Sequence, residues 1–186
     1  MRNKPLISVV MSVFNDEKFL KSSIDSILNQ SYKNFEFIII DDGSTDRSLS
    51  IIKDYKKIDK RIIVVSKQNT GLTKSLNVGL RLSKGKYIAR IDGDDISHPL
   101  RFEKQIEILS KETQLELIGT NCILIDENGL QIGRKKYNYP TNFRKIKTSL
   151  LSGDSVFLVL LRSPLGLLNS DIIFSASFVL IVLISR

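Results

Sequence analysis

Three carboxylates lie within four residues at Asp92-Gly93-Asp94-Asp95. At neutral pH they repel one another, so a fold that keeps them ionised calls for a cation. The chain has one cysteine, Cys122, and one histidine, His98, which excludes a cysteine-built zinc site and a multi-histidine centre. A divalent ion must therefore rest on carboxylates, and Mg²⁺ or Mn²⁺ suits that chemistry. Such an ion takes one or two carboxylates and fills its other positions with water and substrate phosphates. The candidate metal residues are Asp94, Asp92 and Asp95, and Gly93 leaves the backbone open to a metal-bound diphosphate. The structural alternative is an acidic turn in which Asp95 or Ser97 caps the next helix.

A second cluster is Asp41-Asp42-Gly43-Ser44-Thr45-Asp46. A carboxylate here, Asp42 above all, can accept hydrogen bonds from a base N–H or from ribose hydroxyls. Ser44, Thr45 and Asp46 read as a turn and helix cap. A third cluster, Asn69-Thr70-Gly71 with Lys74 and Asn77, opens a helix, where backbone N–H groups and a lysine favour an anion. His98 reads as a turn residue.

These residues need a frame, and the spacing of apolar residues supplies one. Leu6–Val13, Phe35–Ile40, Ile62–Val65 and Tyr87–Ile91 are short apolar runs that read as strands. Helical spacing follows each: Phe19 to Leu28 with Asn15 or Asp16 as cap, about 46 to 59, 72 to 82, and from Pro99 to about Ser110. Strands alternating with helices predict an α/β fold, a mostly parallel sheet with helices on both faces. Ligands of such sheets bind beyond the carboxyl ends of the strands. Ser12 and Asn15, Asp41 and Asp42, and Asp92 to Asp95 all fall at those ends.

Beyond Ser110 the pattern changes. Ile118–Ile125, the turn at 126–129 and Leu130–Arg134 read as one β-hairpin, and Thr141 as the cap of a basic helix to about Leu151. The net charge is +8 over 186 residues. The last 32 carry only Arg162, Arg186 and Asp171, so nearly all of the excess lies before them. That balance suits nucleotides, nucleic acid or the cytoplasmic membrane surface. No nucleic-acid motif with interleaved aromatics occurs, so nucleic acid is not an expected partner. No signal peptide is visible at the start, and a cytoplasmic chain is the expectation.

In order, Ile7–Asn15, Phe37–Asp46, Asn69-Thr70-Gly71 with Asn77, Gly85–Asp95, then Pro99 and Arg101 resemble the family 2 glycosyltransferases of the GT-A (Rossmann-like) fold. The resemblance covers residues 5 to about 110 and thins to about 153. It implies inverting, metal-dependent transfer of a sugar from a nucleotide-diphosphate sugar to a saccharide or lipid-linked acceptor, in the synthesis of cell-surface polysaccharide or glycolipid. Ser12 and Asp42 match residues that hold the nucleoside, Asp92 a carboxylate near ribose and metal, and Asp94 the metal-binding member of the D-x-D motif. Asn15 and Lys74 complete the expected nucleotide-sugar site.

The organisation implied is a donor-binding domain over 1–153 and an atypical hydrophobic tail over 154–186, the fold being incomplete at its C-terminal end. Family members carry a carboxylate that deprotonates the acceptor, in an acidic and aromatic setting downstream of D-x-D. No acid after Asp95 sits in such a setting, so the catalytic base is not identified. A truncated, inactive remnant that at most binds nucleotide sugar is the alternative. Three readings of the tail stay open: a truncated or frameshifted gene product, a strand and helix packed on the domain, or a membrane segment. The charge-free run Ile172–Ile184 is short of the ~20 residues a spanning helix needs. Peripheral association with the inner face of the membrane is the milder form of the last reading. An aspartyl phosphatase would place its acidic motif after the first strand, and a dinucleotide oxidoreductase needs a G-x-G-x-x-G that is absent.

Overall fold

The computed structural model describes residues 6–112, 117–135 and 160–162. Four strands, β1 (Ile7–Val13), β2 (Phe35–Asp41), β3 (Ile62–Ser66) and β4 (Tyr87–Asp92), alternate with helices α1 (Leu20–Leu28), α2 (Ser48–Ile58), α3 (Leu72–Leu82) and α4 (Arg101–Lys111). The four strands and four helices expected over the first 110 residues are present. β1 pairs in parallel with both β2 and β4, and β2 with β3. Strand order is β3-β2-β1-β4-β8-β5, with β5 at Leu117–Ile118 and β8 at Leu160–Arg162. β8 runs antiparallel to both its neighbours, β4 and β5.

β1 is buried along its whole length, and its alternate side chains serve two cores. Ile7, Val9, Met11 and Val13 join Leu20, Ile24 and Ile27 of α1, Ile52 of α2, and Phe102, Ile106 and Leu109 of α4. Val10 faces the other way and packs with Ile38, Ile40, Ile88 and Leu76 of α3. A period of two on a strand therefore places three helices on one face and α3 on the other. α3 lies close to the sheet because Gly79 has no side chain; a Cβ there would collide with Val10 and reach 2.9 Å from Ile40 Cδ1.

The stretch from Ile118 to Arg134 differs from the expected single hairpin. Residues 117–118 pair with β8 in the main sheet, and the hairpin is shorter, β6 (Cys122–Ile125) with β7 (Gln131–Lys135). A partner strand distant in sequence captured the first residues, which local alternation cannot reveal. β8 itself comes from the stretch read as a tail. Pro99 also lies before α4 rather than in its first turn, since the helix begins at Arg101. The expected helix over 141–151 lies outside the described residues. Among the described residues no helix is long and apolar enough to cross a membrane.

Candidate functional site

Strand order reverses between β1 and β4, because β2 and β3 lie to one side of β1 and β4 to the other. The carboxyl ends of β1, β2 and β4 splay around that switch point, and a cleft of about 420 Å³ opens there. Its walls carry Ser12 and Asp16 from β1 and its exit, Asp42 from beyond β2, Asn69 and Gly71 before α3, and Asp92 and Asp94 from the acidic loop.

Two loops are tied together before any ligand arrives. Asn15 adopts a left-handed backbone, φ 59°, which asparagine tolerates better than most residues. Its Oδ1 accepts the Thr45 amide at 2.8 Å, and its own amide donates to Ser44 Oγ at 3.1 Å. The Asp16 amide donates to Ser48 Oγ, and the Glu17 amide to Asp46 Oδ2. So Ser44 to Asp46 do more than turn and cap: they fasten the β1–α1 loop to the β2–α2 loop.

Asp42 is buried and organises the loop before α3. Its carboxylate accepts the Thr70 amide at 2.9 Å, the Gly71 amide at 2.8 Å and the Lys67 ammonium. Burial pushes its pKa up, but the hydrogen bonds from Lys67, Thr70 and Ser75 and the Lys67 charge outweigh it and hold the group below its ordinary value. Gly43 follows with φ +75°, and a Cβ there would stand 2.7 Å from the Asn69 amide nitrogen. Only glycine lets the two loops approach this closely.

The acidic loop has the opposite electrostatics. Burial, then the charges of Asp92 and Asp94, push Asp95 up to about 6 against Arg90 and Arg101. Burial also raises Asp92, opposed by the guanidinium of Arg90 that pairs with it and abetted by Asp94. Asp16 rises to about 6 through burial, opposed by the Phe14 amide and reinforced by Asp94, Asp46 and Asp92. Its carboxylate lies against Gly93, where any Cβ would collide with it.

The cleft thus gathers Ser12, Asp42, Asp92 and Asp94. Asn15, Lys74 and Asp95 are not among its lining residues: Asn15 holds Thr45, Lys74 is exposed on α3, and Asp95 is half-buried, with its charge set against Arg90 and Arg101. Sequence reasoning gave Asp16 only a capping role. It does start α1, but through its backbone carbonyl, which accepts the Phe19 and Leu20 amides. The strand-end rule that selected Asp42 and Asp92 applies equally to Asp16. Lys67, the partner of Asp42, left no such signal, being one of many lysines. His98 is a turn residue, its Nδ1 accepting the Leu100 amide.

The family model of glycosyl transferase family 2 matches residues 8–166. The chain belongs to glycosyl transferase family 2. An O-antigen biosynthesis glycosyltransferase of Escherichia coli, WbnJ, is 39% identical over 147 residues, 78% of this chain and 58% of the relative. TarS of S. aureus, solved with UDP-GlcNAc, aligns at TM-score 0.55 and 26% identity over 61% of this chain and 33% of its own. The mannosyltransferase PcManGT of Pyrobaculum calidifontis, solved with GDP-Man and Mn²⁺, aligns at TM-score 0.62 and 16% identity, covering 87% and 45%. The fold is that of these GT-A glycosyltransferases. The glycosyl transferase family 2 chain spans about half the length of the first curated relatives it matches.

Among the described residues no three His, Cys, Asp or Glu side chains stand together as a ready metal cage. Mg²⁺ or Mn²⁺ carried by a diphosphate needs only one or two carboxylates. Asp92 and Asp94 on one cleft wall, hard oxygen donors beside a glycine backbone, fit that smaller demand.

Proposed function

We propose that this chain is the donor-binding part of an inverting, metal-dependent glycosyltransferase. It would move a sugar from a nucleotide-diphosphate donor to a saccharide or lipid-linked acceptor, in the making of cell-surface polysaccharide or glycolipid. The observation that carries the reading is that Asp42 and Asp94, from separate strand ends, line one cleft. Within it Ser12, Asp42 and Asp92 take the nucleoside, and Phe14, 49% exposed on the wall, offers a ring face to the base. Asn15 keeps the two loops in register for that contact, and the solvated Lys74 adds positive charge near the start of α3. Asp94 and Asp92 hold the Mg²⁺ or Mn²⁺, with Asp95 adding negative charge behind them. Bound there, the ion would stabilise charge on the departing diphosphate. We take residues 1–153 as the donor domain and 154–186 as a C-terminal stretch that lends β8 to its sheet. The enzyme works in the cytoplasm at the inner face of the membrane, towards whose anionic surface the basic domain is drawn.

Calorimetric titration with UDP-GlcNAc and GDP-mannose, in Mn²⁺ and then in EDTA, tests this. Binding that EDTA removes is expected; no binding of either sugar nucleotide in Mn²⁺ would sink it. The second reading is a chain that binds the donor sugar nucleotide without transferring its sugar. Binding accompanied by neither transfer nor hydrolysis would support it.

The raised carboxylates predict a pH signature. Asp16 and Asp95 titrate near 6 in the fold against an ordinary 3.8, so the folded state binds more protons between those values. Their contribution to stability is then complete below 3.8 and disappears as pH rises through 6. A cation competes with those protons. In thermal melts, the rise in Tm on adding Mn²⁺ should grow from pH 5 to pH 7; a pH-independent rise would refute the prediction. Asp42 does not interfere, because its shift is in the opposite direction and acts below 3.8.

A further inference from the structure

Arg101 is 5% exposed, a depth at which a guanidinium carries a large desolvation penalty. No carboxylate forms an ion pair with it among the described residues, and its Nε has no hydrogen-bond partner there. What it does bond is informative. Nη2 donates to the Arg90 carbonyl at 2.9 Å, and Nη1 to Ser97 Oγ at 3.0 Å. Arg90 precedes the acidic loop and Ser97 follows it, so one rigid fork spans the loop from strand to exit. The Ser97 amide in turn donates to Ser26 Oγ on α1. Arg90 completes the arrangement by pairing its own side chain with Asp92. Two cations thus lie near Asp92 and Asp95, and Asp94 is left exposed on the cleft wall.

We infer that Arg101 is a positioning residue, a clamp that ties the acidic loop at its two ends and so holds Asp94 exposed on the cleft wall where it can take a cation. The part concerning the cation rests on the donor-site reading above; the clamp does not. The electrostatics agree: burial pushes Arg101 down to about 9, still protonated at neutral pH, while Asp95 opposes that shift. An arginine serving only as a hydrophobic spacer would be replaceable by methionine or leucine without local effect. The fork makes a different demand, which lysine, with one point charge, meets only in part.

The experiment compares wild type, R101M, R101K and S97A in two measurements on the full chain. Backbone hydrogen exchange without metal reads the clamp: exchange should accelerate in 92–97 of R101M, less in R101K and S97A, with β1 and β2 unchanged. Calorimetry with UDP, with and without Mn²⁺, reads the consequence. Outer partners of a metal site typically contribute about 10–100-fold to metal affinity. R101M should therefore lose a factor of that size from the Mn²⁺-dependent gain and keep its metal-free UDP affinity, and R101K should recover part of it. Unchanged exchange in the loop of R101M and R101K overturns the inference. So does global unfolding of both Arg101 variants with S97A indistinguishable from wild type, since Arg101 would then serve general stability. If wild type itself shows no Mn²⁺-dependent UDP binding, the donor-site reading fails, and the exchange data still decide the clamp.

Discussion

Asp94→Ala should lose the Mn²⁺-dependent part of nucleotide binding by about 100-fold or more, because a direct ligand exceeds the roughly 10–100-fold that outer partners contribute. The side chain is exposed at the cleft, so its removal leaves no cavity. Its charge also raises Asp16, Asp92 and Asp95. Without a metal the variant should therefore be no less stable than wild type, and its neighbours should titrate closer to their ordinary value. Loss of binding with equal or higher Tm in EDTA is the signature of a residue kept for function and not for folding. A variant with undiminished Mn²⁺-dependent affinity would remove Asp94 from the site. Calorimetry with UDP and thermal melts in EDTA, on the same preparation, give both numbers.

Asp42→Ala should do the reverse, costing both stability and binding, with or without metal. The carboxylate is 2% exposed and accepts from Thr70, Gly71 and Lys67. Removing it leaves two amides and a mostly buried ammonium without their acceptor. Breaking a buried pair in this way costs about 3–5 kcal/mol. Lys67 retains 20% of its side-chain exposure and can turn to water, so the lower end applies. Because the folded pKa of Asp42 lies below its ordinary 3.8, this stability is complete above 3.8 and fades as pH falls further. The gap between wild type and variant in urea unfolding should therefore narrow in strong acid. A loss well under 1 kcal/mol at pH 7 would show that the loop holds without Asp42. Asp42→Asn keeps the shape and an acceptor for one of the two amides, which use different oxygens of Asp42. It loses the other amide's acceptor and the Lys67 pair, so it should recover only part of the loss.

The two aspartates illustrate what one-dimensional reading can and cannot reach. Both were legible as candidates, since each follows closely on the end of an apolar strand. Neither role follows from that position. Asp42 is bound into its own loop by amides 28 and 29 residues onward, whereas Asp94 is left open.

Local pattern alone determined the four parallel strands, their helices and the end of the sheet where the candidate cleft lies. Strand and helix periods are properties of neighbouring residues, and burial on both faces leaves a run of apolar side chains that needs no tertiary knowledge to recognise. Folding alone decided which acids converge. Asp16 meets Gly93 across 77 residues of chain, Asn15 turns to Thr45 and away from the cleft, Leu117 and Ile118 leave the hairpin for β8, and Arg101 reaches back to Arg90 and Ser97. Apart from Ser97, only four residues before Arg101, each of these contacts joins positions whose separation carries no period, so their energies exist only once the sheet has brought the chain together.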